Sequence, residues 1–291
     1  MKTDNRIRTV NIEVSNRLLN CSVLGKGDFQ KTTLYCHGFP SSRLEALFLD
    51  DIARSLGITI LSIDRPGFGG STFYPERRIV DWPKDIQQTL TFFSLSKISI
   101  LALSGGTPYG LVSACKLPSL VEKLVVVSGV SSLKEPQILK QMKPLHRFLI
   151  GMLQKRSRTG LRLAYFAAGL LRHFPCSSSL LIGCAFNSTD RKLVSDSQVR
   201  AIFGQAINEA FAQGVRGPVL DLQLMSNDWG FDLSEIQVPV TFIHGTDDRF
   251  VPPSMMLANA SKITGAKIIE IPGEGHLAAV KVRKLILENL L

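Results

Sequence analysis

The sequence has few cysteines and few histidines, which limits the metal and redox chemistry that it can carry. Its 291 residues include five of each. No cysteine stands in a CxxC pair or at a metal-ligand spacing from a histidine. We therefore predict no metal site and no cofactor, and we interpret the cysteines as reduced thiols of a cytoplasmic protein that serve mainly as small apolar core residues. They are Cys21, Cys36, Cys115, Cys176 and Cys184.

Long apolar runs are also missing. Even the most apolar stretch, 161–186, contains Arg162, Arg172 and His173, so no window supplies the roughly 18 uninterrupted apolar residues that a membrane-spanning helix needs. The first eight residues carry three basic side chains with no apolar run behind them, which does not fit a secretory signal. We expect neither a spanning helix nor export.

Acidic residues are scarce in one part of the chain. The formal net charge is +10, and residues 132–200 hold twelve Lys and Arg against three acidic residues, a net charge of +9. Because this basic segment carries no aromatic-interleaved strip or known nucleic-acid module, nucleic-acid binding is not expected. The charge instead suggests an anionic small-molecule substrate or peripheral contact with an acidic membrane. The alternative is that these side chains only solvate exposed helix faces.

Short β-type runs alternate with helical patterns along most of the chain, which predicts a parallel sheet with crossover helices and hence the α/β class. Residues 6–18 alternate apolar and polar side chains, and 20–24 continue after a turn, so an antiparallel hairpin should begin the sheet. The other predicted strands are 32–36, 58–63, 98–103, 123–127, 239–243 and 267–271. The predicted helices include 44–56, 83–95, 253–264 and 277–290.

Residues 132–232 interrupt this alternation. They contain no β-type run of comparable quality and have the pattern of several helices with apolar and basic faces. We therefore expect a core made of 1–131 and 233–291, with 132–232 inserted as a helical cap (lid).

Ser104 is the best candidate for a nucleophile. It follows the predicted strand 98–103 and precedes a helix, so it lies on a sharp strand-to-helix turn. Such a turn needs small residues two positions before and after the serine, and Ala102 and Gly106 meet that need. Ser71, in a glycine-rich loop, lacks this setting. There, Asp64 and Arg65 are expected to make structural hydrogen bonds.

A catalytic serine needs a base, an orienting acid and donors for an oxyanion. His276 is the favoured base, since it lies in a glycine-rich loop between a predicted strand and the last helix. Asp248 is favoured over Asp247 as the acid. The backbone N–H groups of Phe39 and Gly105 are the expected oxyanion donors, because each follows the end of a predicted strand. The other histidines, at 37, 146, 173 and 244, are expected to be structural.

Five motifs in this order resemble the α/β-hydrolase superfamily. They are HGFPSSR (37–43), DRPGFGGS (64–71), ALSGGTPYG (102–110), HGTDDRFVP (244–252) and PGEGH (272–276). The resemblance covers about 20–131 and 233–291, and it implies the α/β-hydrolase fold with a Ser-Asp-His order of catalytic residues. In this family the second aspartate of a G-x-x-D turn is the usual acid, which again favours Asp248.

The resemblance narrows the function without fixing it. Dehalogenases and epoxide hydrolases of this fold carry aspartate where this chain has Ser104. Proline iminopeptidases typically carry HGGPG where this chain has HGFPS, and they need carboxylates for a substrate ammonium group. We expect a serine hydrolase that cleaves a carboxylic ester or thioester through an acyl-enzyme. A proline-iminopeptidase-like aminopeptidase, a carbon–carbon bond hydrolase and a non-catalytic ligand-binding protein remain as alternatives.

Overall fold

The computed structural model describes residues 7–134, 158–173 and 186–291, together with 138, 140, 147, 151, 152, 154 and 155. An eight-stranded sheet runs through the described residues, in the order β1-β2-β4-β3-β5-β6-β7-β8. The strands are β1 Arg8–Val14, β2 Arg17–Gly25, β3 Thr32–Cys36, β4 Thr59–Ile63, β5 Ile98–Leu103, β6 Val121–Val127, β7 Val240–Gly245 and β8 Lys267–Ile271.

The sheet is mostly parallel, as the alternating pattern predicts. Strand β2 pairs antiparallel with β1 and β4, and every other neighbouring pair is parallel. The first hairpin turns earlier than expected, at Ser15 and Asn16, which have φ angles of 46° and 62°. Two residues with positive φ form the tight turn that matches the twist of a hairpin. The predicted strand 6–18 is therefore wrong at its end, because it runs across this turn.

Ten α-helices lie in the described part of the chain. They are α1 Asp50–Ser55, α2 Trp82–Phe92, α3 Thr107–Lys116, α4 Arg158–His173, α5 Ser188–Ser195, α6 Ser197–Ala210, α7 Arg216–Ser226, α8 Pro253–Ala260, α9 Ala278–Lys281 and α10 Arg283–Glu288. Single-turn 3₁₀ segments cover Ile79–Asp81, Ser104–Gly106 and Leu233–Glu235, and a longer one covers Arg43–Leu49.

Two predicted helices differ from the structure. The predicted helix 44–56 is a 3₁₀ segment followed by the short α1, and the predicted helix 277–290 is broken between α9 and α10. A periodic apolar pattern marks the buried face but does not distinguish 3₁₀ from α geometry, which explains the first difference. The second follows from Val282, whose backbone (φ −102°, ψ 28°) leaves the helical region.

The central strand β5 divides the core into two layers. Ile98, Ile100 and Ala102 pack into one apolar cluster with α2 and α3, while Leu101 and Leu103 pack into the other with α1 and α10. This alternation is the period of two that a strand imposes. Because both faces of the central parallel strands are covered, the functional groups must lie at the strand ends.

The described residues between β6 and β7 form helices α4 to α7 and no strand. A third apolar cluster joins these helices to the core, with Ala168 of α4, Phe211 and Val219 packed around Phe68. Among the helices of the described ranges, none is long and apolar enough to cross a membrane. Cys21, Cys36 and Cys115 are free buried thiols, and Cys176 and Cys184 lie outside the described residues.

Candidate active site

Ser104 lies at the sharp turn between β5 and α3. Its φ angle is 48°, a left-handed conformation that is uncommon for a residue other than glycine. Gly106 makes the turn feasible, since a Cβ atom there would lie 2.1 Å from the carbonyl oxygen of Cys36. The alanine at 102 is accommodated by a second glycine, because a Cβ on Gly110 would lie 2.7 Å from the Ala102 Cβ. The turn is therefore built around small residues on both sides of the serine.

His276 and Asp248 complete a hydrogen-bonded chain with Ser104. The His276 Nε2 atom is 3.0 Å from the Ser104 Oγ atom, and the Nδ1 atom is 2.8 Å from the Asp248 Oδ2 atom. All three side chains are buried. Asp247, in contrast, is exposed, and its backbone N–H donates to the Glu274 carbonyl. The structure thus brings together the three residues favoured from sequence and leaves Asp247 outside the chain.

Electrostatics around His276 favour its protonated form. Burial alone would lower its pKa, but the Asp248 carboxylate outweighs burial, and Asp190 and Glu45 act in the same direction, so the pKa of His276 is raised above its ordinary value. Burial would raise the pKa of Asp248, yet the charge of His276 and a hydrogen bond from His244 hold it well below its usual range. In its neutral form, a histidine oriented in this way can take a proton from a hydroxyl group, and the Asp248 carboxylate then stabilises the imidazolium that results.

The Asp248 carboxylate is itself held in place by its surroundings. The Asp248 Oδ1 atom accepts hydrogen bonds from the backbone N–H groups of Phe250 (2.9 Å) and Val251 (2.8 Å). The Nε2 atom of His244 lies 3.2 Å from the Oδ2 atom and 2.9 Å from the Val251 carbonyl oxygen. Because both partners are acceptors, this nitrogen carries the proton. His244, expected to be structural, therefore also holds the Asp248 carboxylate in place.

The loop after β3 brings Phe39 next to the turn at Ser104. The backbone nitrogen of Phe39 lies 3.1 Å from the position a Cβ would take on Gly105. Two buried groups hold this loop: Glu45 accepts from the Gly38 N–H (2.6 Å), and Arg65 donates to the Gly38 carbonyl (2.9 Å). The N–H groups of Phe39 and Gly105, the two expected oxyanion donors, are thus neighbours at the end of the sheet.

Asp190, on helix α5, is a site residue that the sequence did not reveal. Its side chain is fully buried, and its carboxylate accepts hydrogen bonds from the backbone N–H groups of His276 and Leu277, both at 2.9 Å. A Cβ on Gly275 would lie 2.1 Å from an Asp190 oxygen, which explains the glycine before the histidine. The sequence offered a weak signal, since Asn187 three residues earlier has the pattern of an N-cap, and its side chain does accept from the Asp190 N–H.

A second carboxylate from the same part of the chain lies beneath the loop that carries Phe39. Asp221 of α7 is fully buried and pairs with Arg65 at 2.9 Å and with Arg77 at 2.7 Å. Burial opposes its charge, but the two guanidinium groups outweigh burial and hold the pKa of Asp221 below its usual value. Tyr109 of α3 donates its hydroxyl to the same carboxylate. The helices between β6 and β7 are therefore anchored to the loops that form the site.

The remaining sequence candidates have structural contacts. The Asp64 carboxylate pairs with Arg43 at 2.7 Å, and the Ser71 hydroxyl donates to the Asp64 carbonyl at 2.6 Å. His37 is buried and hydrogen-bonded to the Gly38 carbonyl at 2.9 Å, and burial lowers its pKa. His146 lies outside the described residues, and His173 ends α4.

The surroundings of the serine are largely apolar. Phe39 and the Met225 sulfur border the turn, at 2.6 and 3.3 Å from the position of a Gly105 Cβ. The Phe250 ring lies 4.9 Å from the His276 ring, and Phe186 packs on Phe250 at 6.0 Å. The hydrogen-bonded serine therefore lies among apolar side chains.

A serine on a strand-to-helix turn, with a histidine and an aspartate on later loops of a mostly parallel sheet, defines a class of proteins. The sequence matches the family model of the α/β hydrolase fold over residues 32–281. The chain therefore belongs to the α/β-hydrolase family, and the fold and family predicted from its motifs are confirmed. A comparison with curated proteins found no significant match.

Solved structures with this fold include several enzymes. An esterase from Thermogutta terrifontis is 20% identical with a TM-score of 0.71, covering 97% of this chain and 98% of its own. A bromoperoxidase from Bacillus anthracis is 18% identical with a TM-score of 0.70 and the same coverage. An epoxide hydrolase from Vigna radiata is 15% identical with a TM-score of 0.71, covering 99% and 98%. At these identities the similarity shows a shared fold and no more.

Proposed function

We propose that this protein is a serine hydrolase of carboxylic esters or thioesters. His276 takes the proton of Ser104, and the serine oxygen attacks the acyl carbon. The N–H groups of Phe39 and Gly105 hold the oxyanion of the tetrahedral intermediate. His276 then gives its proton to the leaving alcohol or thiol. Water, activated by His276, attacks the acyl-enzyme and releases the carboxylic acid and the free serine.

One observation carries this proposal: the buried chain from Ser104 Oγ to His276 Nε2 (3.0 Å) and from His276 Nδ1 to Asp248 Oδ2 (2.8 Å). Both distances are in the range of good hydrogen bonds, and the order matches the roles of nucleophile, base and orienting acid. A protein that only binds a ligand has no need for a strained serine held in this geometry.

This protein differs from the epoxide hydrolase of similar fold in the residue expected at the nucleophile position. The expected nucleophile of epoxide hydrolases and dehalogenases is an aspartate, which forms an alkyl ester on attack. Here a hydroxyl group occupies the turn, and its addition to an acyl carbon gives an ester that water can resolve. The serine therefore favours acyl transfer.

The carboxylates near the site favour an ester over an aminopeptidase substrate. Such a peptidase would need a free carboxylate for the substrate ammonium group. Among the described residues, two buried carboxylates near the site already accept hydrogen bonds from the protein. Asp190 accepts from two backbone N–H groups, and Glu45 accepts from the Gly38 N–H and the Tyr35 hydroxyl. The apolar side chains of Phe39, Met225 and Phe250 suit an acyl or alkyl chain instead.

We also propose that 132–232 acts as the cap of this site. In its described helices, Asp190 accepts a hydrogen bond from the loop that carries His276, and Asp221 pairs with Arg65 beneath the loop that carries Phe39. Ala168 and Phe211 pack with Phe68 in the same cluster that Phe39 contacts. The positive charge of this segment favours an anionic acyl substrate.

A fluorophosphonate probe with the Ser104→Ala variant tests the chemistry. The wild type should be labelled at one serine, and Ser104→Ala should not be labelled. Ser71→Ala is the matched control, because it removes the rival serine and should leave labelling intact. Absence of labelling in the wild type would refute the serine hydrolase mechanism.

A series of p-nitrophenyl esters of increasing chain length tests the substrate class. Hydrolysis should be measurable for at least part of the series and absent in Ser104→Ala. If every ester were inert while aminoacyl-proline analogues turned over, the protein would be an aminopeptidase and the ester proposal would be wrong.

A further inference from the structure

Helix α4 exposes an unusual amount of apolar surface. Leu163, Tyr165, Phe166 and Leu170 are 43%, 40%, 67% and 44% exposed. They lie within eight consecutive residues of one helix. Isolated apolar side chains on a surface need no explanation, but a contiguous group marks a surface that meets another phase or molecule.

Three of these side chains form a stripe along the helix. Leu163, Phe166 and Leu170 are spaced by three and four residues, so they project from the same side. We call these three residues the outer stripe of α4. The opposite side is occupied by Leu161, Ala164 and Ala168, which pack into the apolar cluster around Phe68. The core therefore does not use the outer stripe.

Positive charge accompanies the stripe. Helix α4 carries Arg158, Arg162 and Arg172 and no acidic residue, and all three arginines are exposed. On a helical projection, Arg162 lies next to the outer stripe, Arg158 lies further round on the flank of the helix, and Arg172 lies nearer the inner side. The surrounding sequence, 132–200, has a net charge of +9, so the whole region repels cations and attracts anions.

We propose that the outer stripe of α4 inserts into the interface of an anionic lipid membrane, with the side chains of Arg162 and Arg158 reaching the level of the headgroups. An apolar stripe beside basic residues on one helix is the pattern of a helix that lies in the plane of a membrane surface. Charge complementarity identifies this occupant, since anionic lipids attract a basic helix and an apolar stripe requires an apolar phase. This goes beyond the hydrolase proposal and does not depend on it.

The position of α4 gives the contact a consequence for the site. Leu161 and Ala164 on its inner side belong to the same cluster as Phe39, a proposed donor of the oxyanion hole. A helix that rests on lipid would therefore hold the entrance of the site close to the membrane surface. An acyl substrate dissolved in that membrane could then reach Ser104 with a short path through water.

Vesicle sedimentation tests the proposal. Full-length protein is mixed with vesicles of phosphatidylcholine alone or with about 30% phosphatidylserine, and the bound fraction is measured. Binding should be strong only with phosphatidylserine and should fall as salt is raised from 0.1 to 0.5 M, because salt screens the attraction. Each lost arginine near the surface should weaken binding about fivefold, so Arg158→Gln/Arg162→Gln should weaken it about 25-fold. Phe166→Ser should weaken binding by about tenfold or more.

Phe92→Ser is the matched control, because Phe92 is also half exposed (51%) but lies on α2 in the core domain. It should bind vesicles as the wild type does, and so should Ser104→Ala, whether or not the protein proves to be a hydrolase. All surface variants should keep the wild-type melting temperature.

Several outcomes would overturn the proposal: no binding to phosphatidylserine vesicles, equal binding to both vesicle types, or a loss in Phe92→Ser as large as that in Phe166→Ser. Self-association of the lipid-free protein that Phe166→Ser abolishes would assign the stripe to a contact between two copies and would also contradict a membrane role.

Discussion

Replacing Asp190 with asparagine tests how the histidine is held in place. Both carboxylate oxygens accept a backbone N–H at 2.9 Å, one from His276 and one from Leu277. Asparagine has nearly the same shape but only one acceptor oxygen, so its amide NH₂ group must face one of these N–H groups. A buried donor left without an acceptor costs about 1–3 kcal/mol, and the loop should relax away from the new side chain.

This relaxation moves the base relative to the serine. A displacement of about 1 Å at a reacting group can reduce a rate about 100-fold. We expect Asp190→Asn to slow fluorophosphonate labelling of Ser104 between about 10-fold and 100-fold, while the free energy of unfolding falls by about 2 kcal/mol. The labelling rate constants are measured well below the melting temperature, and urea unfolding gives the free energy of unfolding.

The pH profile separates positioning from general destabilisation. Burial lowers the pKa of His276, while Asp248 and then Asp190 and Glu45 raise it. Removing the charge of Asp190 should therefore lower this pKa, so the acidic limb of the labelling profile should move to lower pH. A protein that is merely less stable would keep the wild-type midpoint.

Asp196→Asn is the matched control. Asp196 is exposed, accepts two backbone N–H groups at the start of α6 (2.9 and 3.0 Å), and has no contact with the histidine loop. It should keep both the labelling rate and the pH midpoint. If Asp190→Asn behaved like this control, Asp190 would have no part in orienting the base.

Three further results are expected. The wild-type labelling rate should rise with pH, because His276 must be neutral to accept a proton, and its raised pKa puts the midpoint above 6.5. The measurement is the labelling rate at constant ionic strength, and a midpoint below 6.5 would contradict it. Gly106→Ala should abolish labelling and reduce the yield of folded protein, since the added Cβ would lie 2.1 Å from the Cys36 carbonyl oxygen; normal labelling would show that the turn can shift. Asp221→Asn should lower the free energy of unfolding by about 3–5 kcal/mol, as measured by urea denaturation, because it breaks a buried ionic network; an unchanged midpoint of unfolding would refute this.

The sequence predicted correctly those features that depend on local patterns of residues. Strands such as 32–36, 98–103 and 267–271 coincide with β3, β5 and β8, because runs of apolar residues between turns have few other solutions. The turn at Ser104 was visible from its small neighbours. His276 and Asp248 could be chosen because each follows a predicted strand, and the ends of parallel strands meet at one edge of the sheet.

The sequence was uninformative where a contact joins distant parts of the chain. Asp190 lies 86 positions from His276, and the N-cap pattern of Asn187 marks only a helix start, without indicating that Asp190 contacts the loop of His276. Arg65 was expected to make structural hydrogen bonds, but its partner Asp221, 156 positions away, could not be identified. Such pairings depend on how helices pack on the core, which local patterns do not encode.

The fit between Asp190 and Gly275 also limits how these parts of the molecule can be exchanged. Asp190 fills the space that a side chain on residue 275 would occupy, at 2.1 Å from the position of its Cβ. Helices α5 to α7 therefore cannot be grafted onto another α/β-hydrolase core unless that core has a glycine before its histidine and an arginine to meet Asp221. During divergence, a change on either side of this boundary would be tolerated only with a matching change on the other. Chimaeras designed at this boundary should carry the loop with Gly275 and the loop with Arg65 together with helices α5 to α7.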